Sequence, residues 1–156
     1  MNIKNLITYD LGSITEDPMT APYAYVDGSF NPKTNVYGWG GYLYENGNVH
    51  PISGSGITPE MASMRNVAGE ICGCLQAVEL AQSLNIKGLT IYYDYLGIEK
   101  WATGEWKAKN PNTKDYATIM QRNMKDMSIH FVHVKGHTGI KGNEIADRMA
   151  KQAVDL

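Results

Sequence analysis

No stretch of this 156-residue chain approaches the roughly 20 consecutive apolar residues that a bilayer-spanning helix requires, so a helical membrane role is excluded. Cysteine is scarce as well. Cys72 and Cys74 are the whole complement, which leaves no disulfide framework and fits a reducing compartment. An excess of one charge is also missing: 14 basic against 16 acidic residues give a net charge of −2, and nothing global calls for a polyanionic partner. The opening MNIKNLITYDLGSITEDP is too polar and acidic for a secretory or transit peptide, so a cytoplasmic location is expected. What remains is globular. Hydrophobic residues make up 43% and charged residues 19%, in a length that suits one domain burying well over half of its unfolded surface.

The charge is unevenly distributed. Residues 100 to 125 hold six basic residues, among them Lys107 and Lys109, against two acidic ones, leaving the remainder with a net charge of −6. One face of an otherwise acidic protein is therefore expected to be basic, although a solvated helix face would read the same way.

Residues 1–22 lack a sustained period and end in an Asp-Pro-Met-Thr-Ala-Pro run, which reads as a tail or linker, with the domain proper at 23–156. Aromatic and β-branched runs at Tyr23–Asp27, Tyr37–Tyr44 and about Val49–Ile57, separated by turn residues including Asn46-Gly47, predict three consecutive antiparallel strands. Thr58-Pro59-Glu60 opens a turn or short helix. Val67, Ile71, Cys74, Leu75 and Val78 then recur at helical spacing, predicting an amphipathic helix of about five turns that closes near Asn85–Gly88. A compact strand at Leu89–Asp94 follows, parallel to the first. Helices are expected at Gly97–Thr103, Thr113–Met127 and Asn143–Val154, with a fifth strand at Ser128–Val134. The order βββαβααβα predicts an α/β domain with a mixed five-stranded sheet, three antiparallel strands then two parallel, and helices on both faces.

Four acids stand out on this frame. Asp27 closes the apolar part of the first strand and Asp94 closes the fourth, positions where a carboxylate is easily solvated and often merely terminates the strand. Glu70 lies between Val67 and Cys74, on the edge of the long helix's buried stripe, where an acid needs a partner. Asp147 sits among Ile145, Ala146, Met149 and Ala150, and its basic neighbour Arg148 projects about 100° away. If the first and fourth strands are adjacent, all four acids share one cleft. Their repulsion must raise their pKa values or be neutralised by divalent cations, and all-oxygen donors suit Mg²⁺ or Mn²⁺. Cys72 and Cys74, two apart on a helix, diverge by about 200° and are not a metal site.

The motifs Tyr25-Val26-Asp27-Gly28-Ser29, Ala68-Gly69-Glu70, Tyr92-Tyr93-Asp94, and Val132-His133-Val134-Lys135-Gly136-His137-Thr138-Gly139 followed by Gly142-Asn143-Glu144-Ile145-Ala146-Asp147 resemble, in this order, the type 1 ribonuclease H family. Successive acids are 43, 24 and 53 residues apart, and His137 stands ten before Asp147. The resemblance implies an endonuclease that hydrolyses the RNA strand of RNA–DNA hybrids with two Mg²⁺ ions, Mn²⁺ substituting. It implies that Asp27 bridges both ions, that Glu70 and Asp94 bind the ion near the leaving group, and that Asp147 binds on the water-activating side. His137, between glycines, matches the family's mobile histidine, assisting proton transfer or product departure, whereas His130 and His133 read as strand structure. Asn66 matches a minor-groove asparagine, with a helix N-cap as its alternative; Ser29 is a backbone contact; Trp101 resembles a tryptophan near the DNA-strand channel, with core packing as its alternative. Lys107 and Lys109 complete the expected nucleic-acid contacts.

The segment from Asp94 to His137 is shorter than in members with a basic protrusion, and Val67-Ala68-Gly69 replaces more polar residues. The Arg65–Glu70 variant most resembles a bacterial subgroup in which this domain follows a small viroplasmin-like hybrid-binding domain, so a longer parent carrying such a domain is one expectation, and a monomer another. A non-catalytic hybrid-binding module and another nuclease of the same fold are the alternatives.

Overall fold

The computed structural model describes residues 22–134 and 141–156. The tail expected before Tyr23 therefore falls, except for Pro22, outside the described residues. Three antiparallel strands, β1 (Tyr23–Asn31), β2 (Val36–Glu45) and β3 (Asn48–Gly56), are joined to two parallel ones, β4 (Gly88–Tyr93) and β5 (Ser128–His133), in the spatial order β3-β2-β1-β4-β5. The mixed five-stranded sheet read from the sequence is the observed one.

The helices are α1 (Pro59–Ala62), α2 (Asn66–Ser83), α3 (Gly97–Thr103), α4 (Pro111–Asn123) and α5 (Lys141–Ala153). Thr58-Pro59-Glu60 thus does start a short helix. The fourth helix begins earlier than its apolar period suggests, because Asn110 caps it by accepting the Thr113 N–H at 2.8 Å and Pro111 suits the first turn. It also ends earlier, at Asn123, and a turn leads through Met127 into β5. No described helix is long and apolar enough to cross a membrane.

The two sheet faces bury different chemistry. Ala24 and Val26 of β1, Leu43 of β2 and Ile91 of β4 point to one face, where Ile71, Cys74, Ala77 and Val78 of α2 cover them in the main core. Tyr23, Tyr42 and Tyr44, with Tyr25 and Tyr92 partly buried against them, point to the other face and pack under Ile145 and Met149 of α5.

Small residues let α2 approach closely. A methyl group on Gly69 would stand 1.8 Å from the Gly38 carbonyl oxygen, and one on Gly28 would stand 2.1 Å from the Asn66 carbonyl oxygen. The middle of the buried stripe of α2 is accordingly Glu70, Gly73, Ala77 and Ala81, while Val67 and Leu75 are only half-buried. Glu70 therefore lies in the middle of the buried face, a correction to its expected place on the edge: small residues carry little hydrophobicity but occupy the line of nearest approach.

Candidate active site

Where β1 and β4 separate, the sheet makes room for charged groups. Their parallel pairing runs through Tyr23–Thr90, Ala24–Ile91 and Tyr25–Tyr92, whose rings stack with centroids 4.4 Å apart. Two residues further along each strand come Asp27 and Asp94. Asp94 lies just past the end of β4, as expected. Asp27 does not end its strand: β1 continues to Asn31, paired with β2 alone, with Asp27 opposite Gly40. The residue is only 9% exposed, so the reading of an easily solvated terminator is corrected.

Glu70 enters from α2 and is 1% exposed. Its carboxylate accepts the Asp94 N–H at 2.7 Å and the Tyr95 N–H at 3.1 Å. The long-helix acid is thereby fastened to the chain segment that carries Asp94. Burial pushes its pKa up to about 8, helped by the Asp27 and Asp94 charges and opposed by the two backbone N–H groups. Asp27 is pushed up to about 7, first by burial and then by the neighbouring Asp147 and Asp94 charges; the Gly28 N–H, 2.9 Å from Oδ1, opposes this.

Asp147 completes the group from the other side of the sheet. Half-buried on α5, it pairs with Lys151 one turn on, Nζ to Oδ2 3.1 Å. The sequence reading looked to Arg148 and missed Lys151, although the four-residue interval was the available signal. The structure thus brings Asp27, Glu70, Asp94 and Asp147 to one place, where they act on one another electrostatically. Among the described residues no three acid, histidine or cysteine side chains stand close enough to enclose a metal ion. The donor set nonetheless fits a hard divalent cation, because it is entirely oxygen and two of its members are held above the ordinary carboxylate range by burial and mutual repulsion. His137 lies outside the described residues.

The expected substrate contacts surround this group unequally. Asn66 is exposed at the first residue of α2 and does not cap it: Arg65 occupies the cap position, with no side-chain hydrogen bond to the helix. Ser29 is buried two residues beyond Asp27 on the same side of β1. Trp101 is half-buried, packing both on the main core and against Tyr95 and Trp106, with centroids 5.7 and 6.3 Å away. Trp106, 40% exposed, was missed by sequence reasoning although it directly precedes Lys107. Lys107 and Lys109 are exposed, whereas Lys100 is engaged with Glu105 at 2.8 Å. The aromatic trio therefore starts beside Asp94 and leads toward basic side chains. A separate groove of about 750 Å³, lined by Trp39, His50, Cys72 and Leu75 among others, contains none of the four acids.

Comparison with known proteins bears on the family and the fold. The profile of the RNase H family matches residues 19–155. A ribonuclease H from Francisella philomiragia is 31% identical over 144 residues, covering 84% of this chain and 89% of its own length. Human ribonuclease H1 is 34% identical over 99 residues, covering 56% of this chain and 34% of its own length, so the chain spans about a third of that relative. Among solved structures, an RNase H1 from the halophilic archaeon Halobacterium salinarum superposes with a TM-score of 0.70 at 21% identity, covering 86% of this chain and 97% of that one. LC11-RNase H1 in complex with an RNA/DNA hybrid superposes with a TM-score of 0.64 at 20% identity, covering 85% and 98%.

Proposed function

Because this chain belongs to the RNase H family, we propose that it is an endonuclease hydrolysing the RNA strand of RNA–DNA hybrids, with Asp27, Glu70, Asp94 and Asp147 holding two divalent cations. The carrying observation is the convergence of four carboxylates from β1, α2, the end of β4 and α5. A module that only bound hybrids would gain nothing from mutually repelling acids facing a polyanion. When bound, Mg²⁺, or Mn²⁺ in its place, would supply an activated water and stabilise the leaving oxygen.

The chain's own residues have separable tasks. Glu70, held by two backbone N–H groups, gives the site a fixed edge. Asp94 and Asp147 are half-buried and retain the freedom to turn toward an ion. His137 would assist proton transfer or product departure, and its replacement by alanine should slow cleavage without abolishing it. Asn66, exposed at the start of α2, would meet the minor groove. Trp101, with Trp106, Lys107 and Lys109 beyond it, would hold the DNA strand by stacking and charge. Ser29 contributes at most from the floor of the cleft, since it is buried.

The test is cleavage of a hybrid labelled on the RNA strand, with Mg²⁺ and with excess EDTA, by the full chain and by Asp94→Asn. The expected result is Mg²⁺-dependent cutting that EDTA and the substitution both abolish, with the fold intact by circular dichroism. Cutting that persists in EDTA, or full activity of Asp94→Asn, would refute the assignment. Duplex DNA and duplex RNA assayed alongside separate this reading from another nuclease of the same fold.

A further inference from the structure

Both peptide units that hold Glu70 are themselves held from behind by the end of β5. The Val134 N–H donates to the Tyr93 carbonyl at 2.7 Å, and the N–H of that same peptide unit, Asp94's, donates to Glu70. The next unit is held in the same way by a side chain. His133 Nε2 lies 2.6 Å from the Asp94 carbonyl oxygen, and the N–H of that unit, Tyr95's, donates to Glu70. A carbonyl only accepts, so Nε2 carries the hydrogen.

Two short relays therefore run in parallel from β5 to one carboxylate. Because each amide is planar and conjugated, loading its carbonyl both fixes the plane and strengthens its N–H as a donor. The first relay uses backbone groups alone and would survive any non-proline side chain at position 134. The second depends on the side chain at 133, whose ring also packs on Tyr93 with centroids 5.5 Å apart. The same unit follows directly on the Asp94 Cα, so its orientation influences where the Asp94 carboxylate leaves the chain.

We infer that His133 is a positioning residue for hybrid cleavage, acting through the Asp94–Tyr95 peptide to fix Glu70 and Asp94. The inference rests on the function proposed above. His133 is exposed at the end of an edge strand, so replacing it removes little core packing and the fold should persist. Its contribution is directional, and its loss should appear at the acids before it appears in stability.

Two full-length variants separate these effects. His133→Phe keeps an aromatic body on Tyr93 and removes the donor, while His133→Gln returns an N–H at a similar reach. Three readouts apply: the Tyr95 backbone amide resonance in metal-free protein, Mn²⁺ affinity by electron paramagnetic resonance, and kcat and KM on a labelled hybrid. In His133→Phe the Tyr95 amide should shift upfield and exchange faster. Mn²⁺ affinity and kcat should fall by about 10- to 100-fold, the range for groups that orient metal ligands, while KM changes little. His133→Gln should recover most of each loss. A Tyr95 amide that does not move in His133→Phe, or a glutamine variant no better than phenylalanine, would overturn the inference. His133→Ala replaces the phenylalanine variant if that one fails to fold. Failure of the wild-type chain to cut hybrids would defeat the proposed function instead, since the amide shift and Mn²⁺ affinity still report on His133.

Discussion

The two helices that deliver acids to the cleft both approach over glycine, but they hold their acids to different degrees. On the α2 side, glycine and alanine bring the helix against the sheet backbone, and Glu70 arrives almost fully buried, its carboxylate held by the N–H groups of Asp94 and Tyr95. On the α5 side, the helix lies on Gly40 of β2, where a methyl group would stand 2.3 Å from the Ala150 nitrogen, and beside a layer of tyrosines; Asp147 arrives half-buried, with an exposed lysine one turn away as its partner. One acid has almost no freedom left and the other keeps most of its own. The site is thus built with a rigid wall and an adjustable one, and the difference lies in burial and in whether backbone or an exposed side chain holds the acid.

The contrast breaks first at the glycine seat. Gly69→Ala would place a methyl group 1.8 Å from the Gly38 carbonyl oxygen, with rigid backbone on the opposing side. The expected cost is about 3 kcal/mol or more, at the upper end for overpacked positions, read as a loss of stability in chemical denaturation. Cleavage should fall with it, because Glu70 is the next residue. At the other extreme, Lys151→Ala should cost only about 0.3–0.5 kcal/mol, as for an exposed pair four residues apart on a helix, and leave the cleavage rate close to that of the wild type. A large stability loss in Lys151→Ala, or a silent Gly69→Ala, would erase the distinction between the walls.

Much of this was legible in the sequence, and the failures have physical causes. The succession of strands along the chain, and the places of Asp94 at the end of the fourth strand and Asp147 on the last helix, followed from period and spacing, because those features are local. Glu70 was placed on the edge of its helix because hydrophobic period overlooks glycine and alanine, the residues that mark the closest contact. Asp27 read as a strand end because its apolar run stops there; that β1 continues beside β2 after β4 has left depends on pairing, which no single strand reveals. Asn66 passed as a possible cap because asparagine favours that role, whereas the helix starts with Arg65 at the cap position, at a positive φ of 58°. The hold of His133 on the Asp94 carbonyl crosses from β5 to the end of β4, residues 39 apart in the chain, and has no signature in either segment.

The central claim is that burial, with carboxylate repulsion added, keeps the cleft's acids protonated until a divalent cation takes the protons' place. Asp27 and Glu70 titrate near 7 and 8 in the folded chain, above their ordinary 3.8 and 4.5, so across that interval the folded state keeps protons that the unfolded state has released. Stability of the metal-free chain must then be greatest on the acid side and fall as pH rises from about 4 to about 8. The decisive measurement is thermal denaturation across that range, with and without Mg²⁺, for the wild type and Asp27→Asn. The account predicts a falling melting temperature without metal, a rise on adding Mg²⁺ that is greatest at the alkaline end, and an Asp27→Asn protein that is more stable than the wild type at pH 8 without metal and less responsive to Mg²⁺. A wild-type melting temperature indifferent to Mg²⁺ at pH 8, together with an Asp27→Asn protein less stable than the wild type there, would contradict it.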